Sequence, residues 1–156
     1  MQGFLLDYSE ALVLLAYVYD FTVDGMVVLR RSDITQMGSD ATDRFQTQIL
    51  KDEGIYSRVN FSPDCDLTDW GSVFSTLGSS HHFLIVEDES PEYPLFVLGE
   101  LRHIGSDSVK LLGFSGAANW DDEVTEVYYE DISCMQLGNN YARAYERYFE
   151  RNGLTE

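Results

Sequence analysis

Basic residues are scarce in this chain. Ten lysines and arginines face 27 aspartates and glutamates, for a formal charge of −17 over 156 residues. The deficit runs throughout: residues 1–54 carry nine acids and four bases, 55–80 three and one, and 81–156 fifteen and five. Sequence-independent nucleic-acid binding depends on lysine and arginine displacing phosphate counterions, so the balance excludes that class. Two readings of the charge are left: a highly solvated surface, or a basic partner. Cysteine is nearly absent too. Cys65 and Cys134 lie far apart with no C-x-x-C spacing, which rules out a disulfide framework and fits idle thiols in a reduced, cytoplasmic setting. No apolar run approaches the eighteen residues of a membrane-spanning helix. Asp7 and Glu10 interrupt the N-terminal apolar residues, no basic region precedes them, and no signal peptide is expected. What the chain does hold is 44% hydrophobic residues, 13% of all residues being aromatic, enough for a folded core.

The chain also echoes itself. Phe4-Leu5-Leu6 returns as Phe83-Leu84-Ile85, and Leu12 to Leu29 runs ungapped against Leu95 to Leu112, keeping Leu12/Leu95, Leu15/Leu98, Asp24/Asp107 and Leu29/Leu112. Ser32-Asp33-Ile34-Thr35-Gln36-Met37 reappears as Glu130-Asp131-Ile132-Ser133-Cys134-Met135, each followed by a helical pattern ending at Gly54 or Gly153. The order of these segments predicts an internal duplication. The copies are unequal: the second adds an acidic loop, Glu87 to Pro94, and the stretch Gly113 to Tyr129.

Periodicity gives the elements. Strands are expected at 3–8, 11–20, 26–30, 34–37, 83–86, 95–103, 108–115, 123–129 and 131–137, with a turn at Thr22-Val23-Asp24-Gly25, since Asp-Gly supplies positive φ. A first helix starts at Ser39 or Asp40, turns Phe45 and Ile49 to the core and ends at Gly54. A second, capped by Asp66, shows Trp70, Val73, Phe74 and Leu77 at i, i+3, i+4 and i+7. A third, capped by Asn139 or Asn140, carries Tyr141, Tyr145, Tyr148 and Phe149, with Arg143, Glu146, Arg147, Glu150 and Arg151 outward. Three segments follow: 1–54, a first small barrel plus helix; 55–80, a connector with an amphipathic helix; and 81–156, a second small barrel plus C-terminal helix.

Bent strands with an adjoining helix, in the pattern of the long second strand, the turn at Asp24-Gly25 or Asp107-Ser108 and the short strand at Ile34 or Ile132, resemble the Sm-like small barrel. The chain is also similar to a set of uncharacterised bacterial proteins with an L-D-Y-S…L-V-L-L…D-G-x-V-V-L-R-R-S-D-I segment, here Leu6 to Ile34, and a V-E-D-E…G…W-D-D-E segment, here Val86 to Glu123. The resemblance implies a fold and no activity: mainly β with helices (α+β), as two tandem, strongly bent Sm-like barrels. Sm proteins read RNA with an arginine-glycine pair. This chain has Arg30-Arg31-Ser32 near one such place and no arginine-glycine pair.

Few residues point to chemistry. Gly113-Phe114-Ser115-Gly116-Ala117 is similar to a nucleophile elbow, but alanine replaces the last glycine and no strand-to-helix turn follows. His81 and His82, as neighbours on a strand, face opposite ways and cannot chelate one ion together. Asp64-Cys65-Asp66-Leu67-Thr68-Asp69 lacks the glycine and glutamate of a calcium loop. No catalytic residue, metal or cofactor is expected. The candidate binding residues are Arg30 and Arg31, the only adjacent basic pair, and Trp120 with Asp121, Asp122 and Glu123, an aromatic beside an acidic loop tip. The expected role is a non-catalytic acidic module for protein binding or assembly, through self-association or a basic protein. The alternatives are an immunity-type neutraliser of a basic toxin or nuclease, and Sm-like RNA binding, which the charge disfavours.

Overall fold

The computed structural model describes residues 1–154. Its strands are β1 (Gly3–Tyr8), β2 (Leu12–Tyr19), β3 (Thr22–Arg30), β4 (Leu84–Asp88), β5 (Leu95–Ile104), β6 (Ser108–Gly113), β7 (Thr125–Tyr128) and β8 (Cys134–Leu137). The α-helices are α1 (Ala41–Asp52), α2 (Trp70–Thr76) and α3 (Asn140–Asn152). The protein is thus α+β. All eight strands lie in one antiparallel sheet, in the order β1-β2-β3-β8-β4-β5-β6-β7.

That order corrects the expected pair of barrels. β8 hydrogen-bonds to β3 along one edge and to β4 along the other, so a three-stranded meander (β1–β3) and a four-stranded one (β4–β7) merge into a single sheet. The sheet is open, with β1 and β7 at its ends. The residues expected to form a strand at 34–37 do not: Arg31–Asp33 makes a 3₁₀ turn, and no regular element follows before α1. The place beside β3 that such a strand would fill is held by β8. Nor does the eighteen-residue correspondence carry the hairpin register. Leu15 pairs with Val27, whereas Leu98 and Lys110, their counterparts, are not partners; Lys110 pairs with His103.

Alternation along the strands builds a core on each face of the sheet. Leu84 and Val86 join Leu12, Leu14, Val28, Met135 and Leu137 against Trp70, Val73, Phe74 and Leu77 of the α2 region. All four residues of the expected stripe on that helix are buried. Ile85, between Leu84 and Val86, points the other way, into a second cluster with Phe83, Leu98, Phe114, Ala142 and Phe149 under α3. The α2 cap is Asp69, whose carboxylate accepts from Ser72 N, while Asp66 instead closes a turn onto Thr68 N and Oγ1. The α1 cap is Asp40, in a reciprocal capping box with Asp43. That helix buries Leu50 and not Phe45, which is 67% exposed. Its contact row reaches β1 through Gln2, which donates to Asp43 and Gln46 and selects the face bearing Asp43, Gln46 and Leu50.

The Asp24-Gly25 turn is also displaced. The β2–β3 hairpin turns at Asp20 and Phe21, which take the positive φ themselves (46° and 59°). Gly25 lies within β3 at φ 78°, where a Cβ would overlap the Leu137 carbonyl and the Asn139 amide. Beside it, the Asp24 carboxylate accepts from Asn140 N at 2.5 Å, a second acceptor for the α3 N-terminus besides Asn139, the cap itself. Gly25 is therefore one of the places where the first and second halves touch backbone to backbone, next to the β3–β8 ladder. Gly54, also at positive φ (70°), has open space around it. Gly54→Ala should cost about 1–2 kcal/mol, the left-handed backbone penalty alone. Gly25→Ala should cost roughly 3 kcal/mol or more, because overpacking is added. Urea unfolding of the two variants checks this; equal losses would show that the Gly25 contact relaxes without cost.

Candidate functional site: an acidic cleft at the joint

The joint between the halves opens into a cleft of about 660 Å³. Four pieces of chain meet there: the end of β3 (Leu29, Arg30), the turn after it (Asp33, Ile34), the β4–β5 loop (Asp88, Glu89, Ser90, Tyr93) and the β7–β8 turn (Glu130, Asp131, Ser133). Five carboxylates and one guanidinium line it. The two Asp-Ile segments of the repeat both take part, although one is a turn and the other leads into β8.

Hydrogen bonds fix the frame. Ser133 N donates to Glu87 O at 2.8 Å, and Glu89 N donates to Ser133 Oγ at 2.9 Å, holding the acidic loop against the β7–β8 turn. The Asp88 carboxylate accepts from Ser90 N and Oγ, so it serves the loop itself. Arg30 reaches across the joint, its Nη2 donating to the carbonyls of Glu130 and Ile132 at 2.5 and 2.7 Å, with Asp33 3.9 Å from its Nε. Among the described residues the only cationic side chain lining the cleft is thus bound to backbone oxygens. Glu89, Glu130 and Asp131 stand exposed to solvent around it.

The sequence-derived candidates divide. Arg30 is at the cleft; Arg31 is not. Arg31 donates to Ser9 O at 3.0 Å and lies 6.0 Å from the Tyr8 ring centre, so the pair forms no joint cationic patch. Trp120 is half-buried in the α3 cluster, edge-on to Phe83, Phe114 and Phe149 at 5.0–5.9 Å, its Nε1 donating to Leu154 O. It is a packing residue there, not an exposed recognition aromatic. Asp121, Asp122 and Glu123 are exposed beside it, and none of them lines the cleft. Ser115, at the centre of the elbow-like motif, accepts from Ala117 N and Asn119 N and has no histidine beside it in the cavity it lines. Among the described residues no group of three or more histidine, cysteine, aspartate or glutamate side chains is disposed to hold a metal. Asp33, Asp88, Glu89, Glu130 and Asp131 went unassigned in the sequence as one site. The repeated Asp-Ile and the inserted acidic loop were the available signals, but nothing local says that they converge.

Both thiols are shielded. Burial pushes Cys65 up from its ordinary 9.0 to about 11, and the Asp7 and Asp66 carboxylates add to the effect. Cys134 is raised further by burial and then by Glu87.

The fold and site define an α+β protein with one open eight-stranded sheet and an acidic cleft where its two meanders join. No helix among the described residues is long and apolar enough to cross a membrane. Comparison with family models, curated proteins and solved structures gives no match.

Two expectations follow. Arg30→Ala should cost roughly 1–3 kcal/mol and speed hydrogen exchange at Met135 and Gln136, because charge-assisted bonds to the turn before β8 are lost. Arg30→Lys should restore only part, since both bonds leave Nη2, which lies one bond further from the backbone than a lysine ammonium; full rescue by lysine would show that the reach of the guanidinium is not needed. For the thiols, the native fold holds the proton that the unfolded chain releases. The Cys65 contribution is therefore complete below pH 9.0 and lost as pH rises through about 11. Urea midpoints followed over that window should fall less in Cys65→Ala than in the parent.

Proposed function

We propose that the protein is a non-catalytic acidic binding module whose cleft receives a lysine- or arginine-bearing segment of a basic protein. One observation carries the reading: five carboxylates share the cleft while its one guanidinium is committed to backbone carbonyls. Charge in such a concave site focuses the field and speeds association with a basic partner, an effect that salt weakens. A neutraliser of a basic toxin or nuclease is a special case of this reading.

Self-association through sheet edges has less support. β1 is bulged between Leu5 and Asp7, and β7 is four residues long, both of which discourage edge pairing. RNA binding has less still, because Arg30 and Arg31 are held on the protein's own carbonyls. The two meanders, each leading to a helix, are read here as descendants of one duplicated Sm-like unit whose strands have merged into a shared sheet.

The test is titration with a fluorescent lysine/arginine peptide at low ionic strength. Glu89→Gln/Glu130→Gln/Asp131→Asn should weaken binding roughly tenfold, at a few tenths to 1 kcal/mol per charge. A control triple at exposed acids elsewhere, Glu10→Gln/Glu53→Gln/Glu150→Gln, should change it less than about twofold. Equal losses would mean that bulk charge, not the cleft, binds the peptide.

A further inference from the structure

A second cavity, of about 360 Å³, lies between α3 and strands β5 and β6 and shares no lining residue with the acidic cleft. Four aromatic residues line it. Phe96 comes from the sheet and Tyr141 from the helix, and both are unusually open for their size, at 55% and 50% exposed. Phe114 and Tyr145 line the cavity as well, with ring centres 5.1 Å apart, and Tyr141 stands edge-on to Tyr145 at 5.3 Å. The Tyr145 hydroxyl donates to Gly116 O at 3.1 Å, which fixes that ring. Phe114 is held from behind by Phe83, Trp120 and Phe149. Two of the four rings are therefore rigid, and the other two are free on one side.

Asp121 completes the lining. Its backbone N–H bonds to Gly113 O, which sets the residue against the wall, and Gly113 leaves room where a side chain would meet the carboxylate. Among the described residues no side chain donates to that carboxylate, and neither lysine nor arginine lines the cavity. Aromatic faces present negative potential, and one carboxylate adds a full charge. Such a site attracts cations, and beyond the one carboxylate its side-chain polar groups are neutral hydroxyls, those of Ser115, Thr125, Tyr141 and Tyr145. A metal ion or a primary ammonium would give up hydration that one carboxylate and a few neutral hydroxyls replace only in part. An alkylated ammonium carries its charge on a surface of methyl groups and loses little.

We infer that this cavity binds a quaternary or heavily alkylated ammonium group, with Phe96, Tyr141 and Tyr145 as aromatic walls and Asp121 as counter-charge. The site is independent of the acidic cleft and of the protein-binding reading. It suits a small organic cation in size, lying at the lower end of ligand pockets.

The experiment is a calorimetric and NMR titration of the full chain with choline, against its neutral isostere 3,3-dimethylbutan-1-ol and against methylguanidinium. Choline should bind saturably at millimolar concentrations, shift the Gly116 amide and bind about tenfold more tightly than the isostere, the scale of a desolvated cation–π contact. Phe96→Ala, Tyr141→Ala and Asp121→Asn should each weaken it several-fold. All three positions are exposed, and thermal melting confirms that the variants fold. The cleft triple Glu89→Gln/Glu130→Gln/Asp131→Asn should leave choline binding unchanged, so failure of one site is not mistaken for failure of the other. Equal affinity for the isostere, tighter binding of methylguanidinium, indifference to all three substitutions, or no saturable binding would each overturn the assignment.

Discussion

β8 is four residues long and is hydrogen-bonded on both edges, to β3 by Met26–Leu29 and to β4 by Leu84–Glu87. Its Met135 and Leu137 are fully buried in the larger core. So short a strand has little intrinsic stability and depends on what fixes its ends. At one end Arg30 ties the preceding turn to β3. At the other, Gly25 admits the Leu137–Asn139 backbone and Asp24 binds the first amide of α3. Both anchors come from the first half of the chain and act on the last. The continuity of the sheet, the seating of α3 and the walls of the acidic cleft all depend on this one insertion.

The net charge of −17 is then less informative than its distribution. Many carboxylates are occupied in holding backbone: Asp40 and Asp43 cap α1, Asp69 caps α2, Asp66 and Asp88 close turns, and Asp24 serves α3. These acids stabilise helix starts and turns wherever they occur and say nothing of partners. Glu100, nearly buried, is flanked by Arg102 at 2.8 Å and His82 at 3.2 Å. Of the acids not so occupied, Glu89, Glu130 and Asp131 stand around the cleft and Asp121 at the aromatic cavity.

Local rules were legible in the sequence. The Trp70–Leu77 stripe, the caps at Asp40 and Asn139 and the glycine end of α3 at Gly153 follow from periodicity and end chemistry that need no knowledge of the rest of the chain. The misreadings share a cause, which is competition between distant segments. Asp24-Gly25 has the composition of a hairpin turn, but its positive φ serves a contact with residues more than a hundred positions away. Ser32–Met37 looks like its counterpart at Glu130–Met135, yet only one segment can occupy the edge of β3. Phe45 satisfies helical periodicity together with Ile49, but the polar contact of α1 with Gln2 selects a different face. The cleft was invisible for the same reason: each of its segments is recognisable alone, and their meeting is a property of strand order.

That meeting links binding to the architecture. Like charges gathered around one cavity repel, and the repulsion bears on the same turn and loop that frame β8. Exposure and salt keep the cost modest, because solvated charges are screened beyond about 8 Å at physiological ionic strength. A basic segment entering the cleft would replace repulsion by attraction at the point where the two halves join. By linkage, a partner that binds only the joined state stabilises it in proportion to its concentration relative to its dissociation constant. Carboxylates spread evenly over the surface would stay soluble without this coupling. Concentrated at the one joint on which the sheet depends, they would couple occupancy of the cleft by such a segment to the integrity of the fold.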